Sequence, residues 1–337
     1  MLEEILFENR RAVRIQNDLI RVTITVEGGH IAEIFEKSTG VNPLWIPPWP
    51  SIEPSSYSLE RHPEYGNNAE SFLLSGIMGH NLCLDLFGSP SADEEAAGVA
   101  AHGEAGMAMY EVEEIPGGIS ARCAAPVAQL AFERSIRLEG RRVRILESVE
   151  NLSALDRPIG WTQHVTLGPP YLVPGSTQFR VPATRSRNLA ETKDFDWPGP
   201  QNLELYPAAK PHASYTAHVL DPKQDRVWFT AWSPESKVVL GYVWDRRDFP
   251  WIGIWEENCS RPHAPWNQRT MTRAMEFGVS PFPESRRKMI DRGKMFDTPC
   301  YRWVGGRRTV TAEYYAGVAT ADTIPPSRQA FEDLVIG

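Results

Sequence analysis

The sequence is dominated by short runs in which apolar and polar residues alternate with a period of two, each run closed by glycine, proline or aspartate. From Leu19 the chain reads LIRVTITVEGGHIAEIFEKSTG, with Ile20, Val22, Ile24 and Val26 set against Arg21, Thr23 and Thr25 before Gly28-Gly29. A period of two sends successive side chains to opposite faces, so this segment predicts an antiparallel hairpin with one buried face. Residues 107–151 repeat the pattern through AMYEVEEI, Pro116-Gly117-Gly118, ISARCAA and QLAFERSIRLEGRRVRILESVEN. In the last of these the turn falls at Glu139-Gly140, and Arg141-Arg142 reads as a hairpin tip that needs no partner. A third set, ASYTAHVLD, DRVWFTAWSP, SKVVLGYVWD and FPWIGIWEEN, is again short, β-branched and aromatic.

No segment sustains a helical period over several turns. Helix is expected only in the acidic stretch from Ser91 to Ala97 and in the C-terminal PSRQAFEDLVIG, where Pro326 and Ser327 can start a short one. Pro43, Pro47, Pro48, Pro50 and Pro54 exclude ladder pairing and predict a long surface loop, the kind of segment that lines sites. The fold expected is therefore all-β, a mainly antiparallel sandwich with few short helices, spanning 1–337 as a single domain.

Several function classes are disfavoured by composition. A net charge of -8, with no Lys/Arg run interleaved with aromatics, provides no basic field for nucleic acid. The opening MLEEILFENRRAVRIQN is charged throughout, and no apolar run approaches membrane-spanning length, so a cytoplasmic protein without a membrane partner is expected. Cys83, Cys123, Cys259 and Cys300 are widely spaced and read as free thiols.

Four windows hold ionisable residues among glycines and prolines. SGIMGHNLCLDLFGSPS carries His80, Asn81 and Asp85; GVAAHGEAG carries His102 and Glu104; GWTQHVTLGPP carries Gln163 and His164; RAMEFGVSPFPE carries Glu276. His102 and Glu104 are two apart and leave an extended chain from one face. Met275 and Phe277 give Glu276 apolar neighbours. Around WEENCSRPHAPWNQR, Trp251, Trp255 and Trp266 offer flat rings beside Glu256, Glu257, Asn267 and Arg269, a mixture suited to stacking on a pyranose while binding its hydroxyls. Trp228, Trp232 and Trp244 read as core, and His30, His62, His212, His218 and His263 as structural.

The order of these windows resembles the galactose-mutarotase-like superfamily. In that family one His lies in an HG-type turn, a second follows an N-x-S and proline-containing segment, and a Glu comes late. The matching residues are His102 in AHGEAG, His164 after ENLSALDRPIGWTQH, and Glu276 in AMEFG. The resemblance implies a mutarotase-like β-sandwich and an aldose 1-epimerase-like enzyme interconverting sugar anomers without a cofactor. It casts Glu276 as base, His164 as acid and His102 as an orienting or ring-oxygen-contacting group. Expected substrate contacts are His80, Asn81, Glu104, Gln163, Trp255, Glu256, Trp266 and Asn267. The expected partner is a small-molecule carbohydrate, with a homodimer left open. Family members carry HGG at the first His and E-x-Q at the Glu; this chain has His102-Gly103-Glu104 and Glu276-Phe277-Gly278. Two alternatives therefore stay open. One is a metal-dependent lyase, isomerase or hydrolase with His80, His102, Glu104, His164 and Glu276 holding Zn or Mn. The other is a carbohydrate-binding domain without catalysis.

Overall fold

The computed structural model describes residues 2–200 and 202–336. Among them a twelve-stranded and an eight-stranded sheet account for nearly all regular structure, with one further two-stranded ribbon. The larger sheet runs in the order Glu3–Phe7, Arg10–Gln16, Ile20–Thr25, Ile31–Glu36, His80–Asp85, Arg157–Leu167, Met271–Gly278, Trp251–Asn258, His212–Leu220, Ala183–Asn188 and Asp194–Asp196. Arg302–Val304 pairs separately with the start of Arg157–Leu167. The smaller sheet runs Gln178–Arg180, Arg226–Ser233, Val238–Asp245, Thr309–Thr320, Arg142–Asn151, Leu130–Glu139, Gly118–Ala125 and Glu111–Ile115. These strand pairs are antiparallel.

The period-two pattern fixes which residues meet. Val22, Ile34, Leu82, Trp161, Val165, Ile252, Met275 and Phe277 of the larger sheet face Ile136, Ile145, Phe229, Tyr242, Trp244 and Tyr314 of the smaller in one continuous core. Phe277 stacks on Trp244 with centroids 4.2 Å apart. Burying side chains of this size contributes about 1.5–3 kcal/mol each, which is what holds the two layers face to face. The hairpin expected at Gly28-Gly29 joins Ile20–Thr25 to Ile31–Glu36.

Both expected helices form. Ser91 caps Ala92–Ala96 in a reciprocal arrangement in which Glu94 N donates to Ser91 Oγ and Ser91 N to the Glu94 carboxylate. Arg328–Ile336 lays Phe331 and Val335 on the outer face of the smaller sheet, against Trp228, Trp232 and Tyr315. Two further helices depart from the expectation: Ser71–Leu74 is a single turn, and in Arg286–Arg292 Met289 is the one buried residue and gives no apolar stripe to read.

The hairpin tip needs correction. Arg141 donates to the buried carboxylate of Glu36 at 2.7 Å, tying the smaller sheet's hairpin to the edge of the larger sheet's Ile31–Glu36 strand. Its partner lies 105 residues away in sequence, out of reach of any local reading. No helix among the described residues is long and apolar enough to cross a membrane.

Candidate active site

The strand Arg157–Leu167 lies between His80–Asp85 and Met271–Gly278, and its register places Asn81, His164, Glu276 and Gly253 in one row across four strands. Residues directly opposite one another on antiparallel strands share a face. His164 and Glu276 therefore leave the sheet together, on the face turned away from the core, while Gln163, Val165, Met275 and Phe277 point inward. Above them opens a cleft of about 360 Å³.

His164 Nε2 lies 2.9 Å from Glu276 Oε1. Its Nδ1 lies 2.9 Å from Thr166 Oγ1, two residues along the same face, so both ring nitrogens are held. The second carboxylate oxygen, Glu276 Oε2, is buried, with no well-formed hydrogen bond among the described residues. Beside it the backbone is bare: a Cβ at Gly253 would stand 3.1 Å from Glu276 Oε2 and 2.1 Å from the Tyr215 hydroxyl. That hydroxyl donates to Pro281 O at 2.9 Å and lies beside the Glu276 carboxylate.

His102 comes from a loop rather than a strand. Its backbone is left-handed, at φ +60°, and Gly103 follows at +79°. A Cβ at Gly103 would approach Leu84 O to 1.9 Å, so glycine is required where the loop crosses the strand. His102 N donates to Gly88 O at 2.8 Å and Leu84 N to His102 O at 3.1 Å. Thus anchored, the ring stands 5.9 Å from that of His164, nearly perpendicular to it, with Nδ1 3.2 Å from Cys83 Sγ. Burial, helped by the positive charges of His164 and Arg261, pushes the His102 pKa down to about 3, so the ring is neutral at ordinary pH.

The walls are aromatic. Trp45, Trp255, Trp266 and Phe87 line the cleft with Leu73 and Ile77. Trp45 and Trp266 stack nearly parallel at 6.3 Å, and Trp255 meets Trp266 edge-on at 5.9 Å. Arg261 lies over both, its guanidinium carbon 4.5 Å from the Trp266 ring and 5.4 Å from that of Trp255, while pairing with Glu257 at 3.4 Å and Glu70 at 3.7 Å.

Of the eleven residues expected to act on or touch the substrate, His102, His164, Glu276, Trp255 and Trp266 line this cleft, and the other six do not. His80 and Gln163 point into the core, where His80 Nε2 lies 2.9 Å from Gln163 Oε1 and Nδ1 3.2 Å from the Tyr242 hydroxyl. Burial and the nearby Arg134 hold His80 well below its usual pKa. Asn81 shares the His164 face but is covered, its amide without a partner among the described residues and closely packed against Gly106. Glu104 accepts from the backbone of Val127 at 3.2 Å and Ala128 at 2.8 Å, which ties the His102 loop to the neighbouring hairpin. Glu256 faces inward and pairs with Arg273, and Asn267 sits in a turn, donating to Pro265 O at 3.3 Å.

The five residues named for a Zn or Mn site do not come together: they divide between the core, the hairpin tie and the cleft. Among the described residues no group of three or more His, Cys, Asp or Glu side chains could hold a metal ion. Trp45, Tyr215, Thr166 and Arg261 line the cleft without having been singled out. Trp45 stands in the proline-rich loop and Arg261 between two cleft tryptophans, both readable signals; Tyr215 has none.

A large antiparallel sheet backed by a smaller one, with a polar pair on its outer face under a loop-built wall, is the galactose-mutarotase-like fold. Solved aldose 1-epimerase-like and mutarotase-like proteins share this fold. A candidate aldose 1-epimerase from Klebsiella pneumoniae superposes with a TM-score of 0.71 at 13% identity, covering 100% of this chain and 88% of that one. A galactose mutarotase-like protein from Clostridium acetobutylicum gives 0.63 at 11% identity, covering 95% and 99%. Another from Lactobacillus casei gives 0.60 at 12% identity, covering 91% and 99%. No protein-family model and no curated protein matches the sequence.

Proposed function

We propose that this protein is an isomerase of the aldose 1-epimerase kind, interconverting the anomers of a free or modified sugar by acid–base catalysis. The observation that carries this reading is the His164–Glu276 pair, 2.9 Å apart at the floor of an aromatic cleft. The anomeric hydroxyl oxygen and the ring oxygen are bonded to the same carbon, so the base serving one and the acid serving the other must stand side by side. Adjacent strands in direct register supply that spacing.

Glu276 takes the proton of the anomeric hydroxyl while protonated His164 delivers one to the ring oxygen. The bond between the anomeric carbon and the ring oxygen breaks, leaving an open-chain aldehyde, neutral His164 and protonated Glu276. After rotation about the C1–C2 bond the 5-hydroxyl attacks the other carbonyl face. Its proton returns to His164, Glu276 gives its proton to the new anomeric oxygen, and both groups are restored. Trp45, Trp255 and Trp266 cover the apolar face of the ring and exclude water. The resemblance of fold to candidate and named mutarotase-like proteins supports the same reading. The test is anomer exchange followed by NMR or polarimetry on common hexoses and uronic acids, with wild type and Glu276→Gln. Acceleration above the buffer rate on at least one sugar, lost in the variant, is expected. No acceleration on any of them overturns the assignment.

A further inference from the structure

Beneath His102 lies a thiol that the reaction above does not use. Cys83 is fully buried on the same face as Asn81, on the strand that pairs with the one carrying His164, and its Sγ is 3.2 Å from His102 Nδ1. The opposite ring nitrogen, Nε2, has no hydrogen-bond partner among the described residues, and the ring borders the cleft. The loop fixes where the ring sits, through the His102 N to Gly88 O and Leu84 N to His102 O bonds. It does not fix which nitrogen carries the proton.

We propose that Cys83 is a positioning residue: its S–H donates to His102 Nδ1 and holds the ring as the tautomer whose Nε2–H serves the sugar. The role in turnover rests on the isomerase reading; the effect on the tautomer does not. Burial raises the Cys83 thiol well above its usual pKa, so it keeps a proton to donate, and burial lowers His102, so the ring has a single N–H to place. With Nδ1 accepting, that N–H is at Nε2. A neutral N–H aimed at a sugar oxygen gains strength as charge builds there during ring opening, without surrendering its proton. His102 then orients and stabilises, while the proton traffic stays with His164 and Glu276.

The experiment is a two-dimensional ¹⁵N spectrum of histidine-labelled protein, with the His102 ring assigned by His102→Asn, combined with kinetics of Cys83→Ala and Cys83→Ser. Wild type is expected to show the Nε2–H pattern for His102 and Cys83→Ala a mixture of tautomers. In Cys83→Ala kcat should fall about tenfold, the scale of one lost hydrogen bond, with KM nearly unchanged. Cys83→Ser, which keeps a donor, should restore the tautomer and most of kcat. An Nδ1–H pattern in wild type, or an unchanged tautomer in Cys83→Ala, overturns the proposal, as does an unchanged kcat once the tautomer has shifted. If no sugar is epimerised the isomerase reading falls by itself, and the spectra still decide the Cys83–His102 link.

Discussion

His164 Nε2 and Glu276 Oε1 stand 2.9 Å apart because their residues are direct partners on neighbouring antiparallel strands. An acid–base pair built on a sheet interior inherits the rigidity of the ladder, so each group can be removed without moving the other. Glu276→Gln and His164→Gln should each lower anomer exchange by about 10²–10⁴-fold, the usual worth of a positioned acid or base. Circular dichroism should show both variants folded, so that the loss is read on native protein even where stranding one partner of the buried pair lowers the thermal midpoint. Exchange within tenfold of wild type in both variants would rule out the pair as the catalytic groups.

Gly253 completes the same row, and its missing side chain is what lets the Tyr215 hydroxyl and the Glu276 carboxylate pass over the strand. Gly253→Ala places a methyl 2.1 Å from that hydroxyl, a contact relieved only by moving Tyr215 or the strand. Overpacking of this kind costs about 1–3 kcal/mol. Urea denaturation should show that loss, together with reduced exchange even where the variant is fully folded. A variant with wild-type stability and activity would show that the row is not as crowded as its geometry implies.

What the sequence revealed and what it hid both follow from the sheet. Alternation of Ile20, Val22 and Ile24 announces a strand, and the ordered His102, His164 and Glu276 do share one cleft. Alternation alone does not say which face is the core when both are covered. Gln163 and His164 are neighbours in sequence, yet one enters the core and the other the cleft, and both are buried. His80 was misplaced for the same reason. Glu104 was misread because its partners are backbone amides, which leave no trace in residue identities. Arg261 was legible from its place between Trp255 and Trp266, whereas Tyr215 depends on strand pairing that only the fold supplies.

Behind the site, fully buried Glu147 gathers donors from three strands besides its own. Arg134 Nε lies at 2.7 Å, the Tyr314 hydroxyl at 2.8 Å, Trp161 Nε1 at 3.0 Å and Gln163 Nε2 at 2.6 Å. Removing one member of a buried ion pair strands the other charge, at a cost of about 3–5 kcal/mol, whereas replacing both by apolar residues is often near neutral. Glu147→Leu should therefore be strongly destabilised, and Arg134→Met with Glu147→Leu should recover most of the loss, as read from urea midpoints. A double variant no better than the single one would mean that Trp161, Gln163 and Tyr314, rather than Arg134, set the cost.

Acid stability should carry the signature of Glu256. Burial pushes its pKa up, but the charge of Arg273 and hydrogen bonds from His212, Arg273 and Ser214 outweigh this and hold it at about 2, against an ordinary 4.5. A carboxyl depressed in the folded state contributes stability that is complete above its unfolded pKa and disappears as pH falls through the folded one. The loss therefore falls between about pH 4.5 and about pH 2. His212 acts in the opposite sense: its bond to Glu256 raises its pKa against the opposing effect of burial, so its contribution is present below about 6.5 and fades as pH rises. Other depressed carboxyls, Glu36 among them, also weaken the fold in acid, so the informative quantity is the difference between wild type and Glu256→Gln. The variant should be less stable near neutral pH, because Arg273 loses its counter-charge, and the gap to wild type should narrow steadily below pH 4.5. Urea midpoints measured across that range decide it: a gap independent of pH would show that Glu256 titrates alike in the folded and unfolded chain.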